Sequence, residues 1–348
     1  MVKDFGSWAS FGLSVENPAE LVYASTGAVG NGGNVGGFLV NFTNCGNSFL
    51  GSGPTGTGGL PGAANGSTGY CNGFNTDVAP DIIGKAAFDP GWGHYEVYGI
   101  ARFFNDNTFG CVVSPFTSPP GAPAPLQTAG LCSTITADTL VPGQQSQRTK
   151  SGDGVGGSVL LPIWTKYVDF QASAMYGKGI GRYGASQLSD VVVAPDGSLS
   201  PIKAVHALAG VVVHPWAGLD VYAYAGMERA DPNYWSTVST GSVRNLTGFG
   251  IPTANNNGCN ITTAASFTNG TSNCAAINKE LEEVTVGFWQ DFYKGNYGRV
   301  AGGFEWEFIR RLSFPGAGPA AGAGVTHSVS SVSTSDNVFM TSLRWYPF

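Results

Sequence analysis

The residues that could do chemistry in this 348-residue chain are few and scattered. The four histidines, His94, His206, His214 and His327, share no metal-ligand spacing, and the six cysteines form no C-x-x-C. No G-x-S-x-G nucleophile elbow occurs. The stretch "GDGVGG" (Gly152–Gly157) fits G-x-G-x-x-G but leads into a strand-like segment instead of opening a helix, so the dinucleotide context fails. Catalysis, a metal and a cofactor are therefore not expected. What remains is a set of ionisable side chains in strongly alternating segments: Lys85, His94, Glu96, Arg102, Asp169, His206, Asp220, Glu228, Glu283, Arg299, Glu305, Glu307 and Arg344. The chemistry open to such a set is electrostatic, a polar lining that sorts solutes by size and charge. Acids modestly outnumber bases in it, which favours cations weakly. The competing reading is that these groups pair across strands and simply fill an interior.

The segments that must position them alternate with period two, the signature of strands with two unlike faces. In "DPGWGHYEVYGIARFF", Tyr95, Val97, Gly99, Ala101 and Phe103 fall on one side and His94, Glu96, Tyr98, Ile100 and Arg102 on the other. In "GLDVYAYAGME", Leu219, Val221, Ala223, Ala225 and Met227 oppose Asp220, Tyr222, Tyr224, Gly226 and Glu228. A sandwich would bury the apolar face; a transmembrane barrel would show it to lipid and turn the charged face inward. Strands are expected near 7–16, 80–88, 93–104, 154–162, 167–177, 201–213, 218–229, 281–291, 298–311 and 336–346. Each is about ten residues, the length that crosses hydrocarbon at a tilt.

The connections separate these alternatives. Short ones carry aromatics, namely Trp92, Trp164, Trp216, Tyr293 and Tyr297, which suit an interfacial girdle. Between them lie long connections near 17–79, 105–153, 178–200, 230–280 and 312–335, rich in Gly, Asn, Ser, Thr and Pro. Loops of that length are rare in compact soluble domains. Short turns on one side and long loops on the other describe an outer-membrane barrel. The expectation is a single all-β domain over 1–348, an antiparallel transmembrane β-barrel of about ten strands, with periplasmic turns and extracellular loops. Ten strands would enclose a narrow lumen, and the first strand begins almost at Met1 without a signal peptide, so part of a larger barrel is expected. In that case, the loop spanning Cys45 and Cys71 is the largest segment able to fold into the lumen.

Composition agrees. Only 11% of residues are charged while 12% are aromatic, and 52 are glycine. The net charge of −6 offers no basic patch and excludes nucleic acid as a partner. The cysteines fall in pairs within three long loops: Cys45 with Cys71, Cys111 with Cys132, and Cys259 with Cys274. Pairing within each loop is the simplest of fifteen connectivities. Each bond would stabilise the chain by roughly 3 kcal/mol in the loop-entropy account and would persist only outside the cytoplasm.

The stretches "VAPDIIGKAAFDPGWGHYEVYGIARFF", "TVGFWQDFYKGNYGRVAGGFEWEF" and the closing "NVFMTSLRWYPF" resemble porin-type outer-membrane proteins of environmental Gram-negative bacteria, Acidobacteria-like ones among them. The opening "FGSWASFGLSVENPAELVYA" resembles a stretch from inside such proteins. The resemblance is one of strands and turns, and it brings no catalytic or ligand motif. It implies a larger barrel in the bacterial outer membrane that passes small hydrophilic solutes or ions. It also implies lipid and lipopolysaccharide as surroundings, a homotrimer as a possible assembly, and recognition by the barrel-assembly machinery through the strand ending at Phe348. Two rival readings are a non-conducting, plugged barrel with a structural or adhesion role, and a soluble secreted β-rich protein that binds carbohydrate.

Overall fold

The computed structural model describes residues 1–18, 21–23, 37–39, 78–110, 145–194, 198–238, 244–254, 256, 276–317, 328–329 and 331–347. The six cysteines, His327 and Phe348 lie outside the described residues, and with them the expected disulfides and the terminal aromatic.

In chain order the strands are β1 (Val2–Phe5), β2 (Ala9–Glu16), β3 (Val22–Tyr23), β4 (Gly37–Leu39), β5 (Asp81–Phe88), β6 (His94–Gly110), β7 (Gln145–Trp164) and β8 (Val168–Lys178). They continue with β9 (Val191–Val193), β10 (Leu199–Pro201), β11 (Lys203–Trp216), β12 (Leu219–Ala230), β13 (Asn233–Val238) and β14 (Arg244–Phe249). The last are β15 (Asn278–Gly295), β16 (Gly298–Ser313), β17 (Gly316–Ala317), β18 (Ser328–Val329) and β19 (Ser333–Tyr346). Among the described residues, no helix is long and apolar enough to cross a membrane.

Eleven strands form one antiparallel path, β1-β2-β5-β6-β7-β8-β11-β12-β15-β16-β19, and β4 adds a twelfth beside the outer part of β6. Each step joins neighbours in sequence, the up-and-down order of the transmembrane-barrel type. The added member relative to the expected ten is the short β1, which pairs with β2 as Val2↔Gly12 to Phe5↔Ala9. β1 and β19 stand at the two ends of the path.

The tight turns are built locally. Gly218 closes the β11–β12 turn at φ 90°, a conformation that a side chain strains. Register shifts in β7 between Pro162 and Trp164 and in β11 between Val213 and Trp216 put proline where the ladder is already irregular.

Two strands outrun the sequence expectation. β6 has 17 residues and β7 has 20, taking in both ends of what reads as loop in 105–153. "QSQRTKSGDG" has weak strand propensity, and its pairing with β6 as far as Phe109↔Gln145 overrides that preference.

The faces divide as the alternation requires. Val97, Val155, Tyr176, Val211, Val221, Val286, Phe288, Phe304, Phe339 and Leu343 are exposed on one side of the sheet. Phe304 bridges its neighbours, with ring centroids 6.5 Å from Phe288 and 6.3 Å from Phe339. No second sheet covers this side among the described residues.

The other side is concave, as one segment proves. Arg182 Nη1 donates to Asn17 O just beyond β2 (3.0 Å), while Ala185 N donates to Glu228 Oε1 on β12 (2.5 Å). β2 and β12 are six steps apart, roughly 29 Å in a flat sheet. Three residues of chain reach about 10 Å, the extended Arg182 side chain adds about 7 Å and the two hydrogen bonds about 5.5 Å, which together fall short of that span. The sheet therefore curls around this segment.

Candidate functional site

The site is the concave face, and its groups fall into three zones from the outer end to the short turns.

At the outer end, the chain over Gly179–Ala194 and Ser198–Ile202 folds inward and covers the wall. It contains a single 3-10 turn (Gly181–Tyr183) and the short antiparallel pair β9–β10, to which β3 adds in parallel. Beneath it Arg102 on β6 is 1% exposed. Its Nε donates to Asp81 Oδ2 at 3.0 Å, its Nη1 lies 2.7 Å from Asp190 Oδ1, and Nη1 also donates to Gly179 O. Tyr183 Oη donates to Asp81 Oδ2 at 2.8 Å, and the Arg102 guanidinium lies 4.7 Å from the Phe104 ring centre. Asp190 also accepts from the backbone N–H of Leu21 and of Arg182, both at 2.9 Å. Burial pushes the Asp190 carboxyl above its ordinary range, against the pull of Arg102 and those two amides. Burial likewise raises the Tyr183 phenol, and Asp81 adds to the rise.

Glu228 closes the far side of this cover. It accepts from Ala185 N and Ser186 N and from the Ser186 hydroxyl, and its Oε2 lies 3.5 Å from His206 Nδ1. Gly184 packs so closely on Glu228 and His206 that a Cβ there would collide with both.

Apolar packing completes the cover. Ile180 joins Ile100, Met175 and Ala204 from the wall. A second cluster of Leu188, Val192, Ile202, Ala230, Phe249, Ile277 and Phe314 spans from the inward segment to the ends of β15 and β16. The sequence expectation of open lining thus meets a different placement for Arg102, His206 and Glu228. They face inward, but the segment lies over them. The described residues show this segment folded against the wall; the loop of Cys45 and Cys71 lies outside them.

The middle zone is more open. Lys85 Nζ lies 2.6 Å from Glu96 Oε1, and Ser158 Oγ donates to Glu96 Oε2 at 3.1 Å. Across β12 to β16, Tyr222 Oη donates to Glu305 Oε2 at 2.6 Å. Glu307 follows two residues along β16, and Glu283 sits on β15 on the same side. Four aromatic rings here face glycines directly across the ladder: Tyr98 opposite Gly156, Tyr224 opposite Gly210, Tyr222 opposite Gly287, and Trp289 opposite Gly303. In each pair the ring lies in the space where a glycine Cβ would stand. The "GDGVGG" stretch finds its structural use in this way, as a groove on β7 filled by side chains of β6.

At the turn end, His94 Nδ1 is 2.6 Å from Asp89 Oδ1 and its Nε2 is 3.2 Å from Glu96 Oε1. His214 bridges Asp220 (Nδ1, 2.6 Å) and Asp169 (Nε2, 3.3 Å). Arg299 lies 3.5 Å from Asp291 and its guanidinium is 4.5 Å from the Tyr346 ring centre. Arg344 stacks on Trp289 at 4.2 Å. The aromatics at the rim, Trp92, Trp164, Trp216, Tyr293 and Tyr297, are all exposed there, and Trp8 adds to them.

Sequence reasoning missed Asp81, Tyr183, Asp190, His214, Trp289 and Asp291. For Trp289 and Asp291 the signal was present, since they share parity with Glu283. His214 falls just past the strand expected over 201–213, yet β11 runs on to Trp216.

No family model matches the chain, and no curated protein matches it. Among solved structures, the crystal structure of the outer membrane channel DcaP of Acinetobacter baumannii is similar, with 13% sequence identity and a TM-score of 0.47. The likeness covers 97% of this chain, which spans 61% of that one.

Proposed function

We propose that the chain forms a porin-like channel in a bacterial outer membrane and passes small hydrophilic solutes by diffusion. The observation that carries this is the inversion of the sheet: its exposed side is an apolar band with an aromatic rim, and its concave side holds the charges. Apolar patches of this extent are foreign to soluble monomers, whereas lipid accepts them without cost. The long loops then face outward and the aromatic turns face the periplasm, with lipid and lipopolysaccharide around the band. The three loop disulfides belong to the same proposal, because the outer surface is oxidising. No step of bond making is required, and no metal or cofactor enters.

The inward segment favours a second reading. Its apolar cluster reaches from the inward segment across Ala230 of β12 to Phe314 just past β16, and complete occlusion would make the chain a plugged barrel with a structural role. Planar-bilayer recording separates the two. Stepwise conductance after insertion is expected of a channel, and a fully inserted but silent protein would give the plugged reading.

A further inference from the structure

The two histidines at the turn end of the concave face share one construction. His94, at the start of β6, has Asp89 Oδ1 2.6 Å from Nδ1 and Glu96 Oε1 3.2 Å from Nε2. His214, near the end of β11, has Asp220 Oδ1 2.6 Å from Nδ1 and Asp169 Oδ2 3.3 Å from Nε2. A neutral imidazole carries one N–H and one lone pair, so it donates to a single carboxylate. Only the imidazolium donates from both nitrogens. Each ring is therefore placed as a cation bridging two anions. The side chains are 38% and 31% exposed, so water reaches them and carries the proton away as pH rises.

The surroundings decide what a lost proton uncovers. Around His94, β5 supplies Lys85 and, just past its end, Asp89; β6 supplies Glu96, and β7 places Leu160 directly opposite. Glu96 keeps Lys85 Nζ at 2.6 Å and the Ser158 hydroxyl at 3.1 Å whatever the ring does. Around His214, β8 supplies Asp169 and β12 supplies Asp220. The adjoining turn brings Tyr167, whose carbonyl accepts from His214 N at 2.8 Å, and Lys166, which makes no ion pair among the described residues. Among those residues Asp169 has no ion-pair partner but His214, and its contact is the longer of the two on that ring. The neutral ring keeps its N–H for Asp220 and leaves Asp169 bare. On β15, Asp291 remains matched by Arg299 at 3.5 Å.

We propose that His94 and His214 set the charge preference of the turn-end mouth, each ring adding one negative charge to the lumen when it sheds its proton. The proposal deepens the channel reading and rests on it. Lys85, Arg299 and Arg344 hold their charge across the range, so the change comes from the rings. An imidazole's ordinary value is about 6.5, and its charge changes between about pH 5 and 8. The mouth is therefore closer to balance in acid and draws cations more strongly in base. The bared Asp169 carboxylate is where a passing cation meets that change first.

The test is the reversal potential of the full chain in a planar bilayer under a potassium chloride gradient, at about pH 5.5 and about pH 8.5. The parent's cation-to-anion permeability ratio is expected to rise at least about twofold from the lower to the higher pH. His94→Gln with His214→Gln is expected to show the parent's high-pH ratio at both, and His94→Lys with His214→Lys its low-pH ratio at both. His206, His327 and the amino terminus also titrate in this range and stay in both double variants, so the difference from the parent belongs to the two rings. A parent with one ratio at both pH values, or a double glutamine protein that shifts as far as the parent, would overturn the assignment. Nitrogen NMR of the histidine-labelled chain in detergent micelles reads the rings without conduction. At about pH 7 a free imidazole is mostly neutral, whereas His94 and His214 are expected to carry a proton on both nitrogens; neutral rings would also overturn it. A silent protein with doubly protonated rings would end the channel reading and keep the bridges. Conductance with a pH-independent ion preference would do the reverse.

Discussion

Arg102 on β6 and Asp190 in the inward segment meet at 2.7 Å, both effectively sealed from solvent, across 88 positions of sequence. Asp81 completes the set from the neighbouring strand. A charge removed from such a group leaves its partners buried and uncompensated, typically a loss of about 3–5 kcal/mol. Arg102→Ala should therefore undock the segment. The expected readouts are new protease cleavage between Gly179 and Ile202 in membrane-inserted protein, and larger single-channel steps. Gly184→Leu, which collides with Glu228 and His206, should act in the same direction. If both variants stay protease-resistant with unaltered steps, the segment does not depend on these contacts.

Docking should also respond to pH. Asp190 faces the Arg102 guanidinium and the backbone N–H groups of Leu21 and Arg182, and Arg102 in turn meets Asp81, which accepts from Tyr183. Its carboxyl is raised in the docked form, first by burial, and returns to about 3.9 when the segment is free. The docked form thus binds the proton more tightly. Its advantage is complete below the ordinary carboxylate range and fades as pH climbs through the raised value. The comparison with Asp190→Asn isolates this contribution: on acidification the conductance of the parent should fall relative to that of the variant. A parent that opens more than Asp190→Asn as pH drops would contradict the sign.

Glu305 and Glu307 present two uncovered acids on one strand of the middle zone. Replacing both with lysine reverses four charges' worth of local field and should move ion preference toward anions. Reversal potentials in a salt gradient report it directly. Potentials identical to the parent's would remove these two residues from the conducting surface.

The apolar side offers the sharpest discrimination between lipid and water. Val97 is 55% exposed on the sheet's outer face. At a water-facing site Val97→Arg would change stability by less than about 0.5 kcal/mol. At the hydrocarbon midplane it costs roughly 2–4 kcal/mol. Urea titration of protein folded into lipid vesicles should give the larger figure, and Val286→Arg should behave alike. A small effect at both positions would favour a soluble sheet.

The wall was legible in the sequence because strand alternation is a local property. Glu96 and Val97 sit on opposite faces whatever else the chain does. The cover was not, since Arg102 and Asp190 find each other only after the sheet has curled. Two signals did point to it. Ile100 and Phe104 are apolar residues on an otherwise polar face, and "DVVV" (Asp190–Val193) is too apolar for a plain loop. Both are answered by the same packing, with Ile100 against Ile180 and Val192 in the larger cluster. Strand extension past Asp153 was hidden for another reason: glycine and lysine there give no local sign of a ladder that the partner strand supplies.

Where Tyr98, Tyr222, Tyr224 and Trp289 meet their facing glycines, the rings lie along the wall like tiles and do not jut like pegs. Bulk and bore are thereby uncoupled: the interior carries four large aromatics while giving up little of its width. A single methyl at Gly287 or Gly210 would tip a tile upright. The diameter of the passage is consequently set by residues that have no side chain at all.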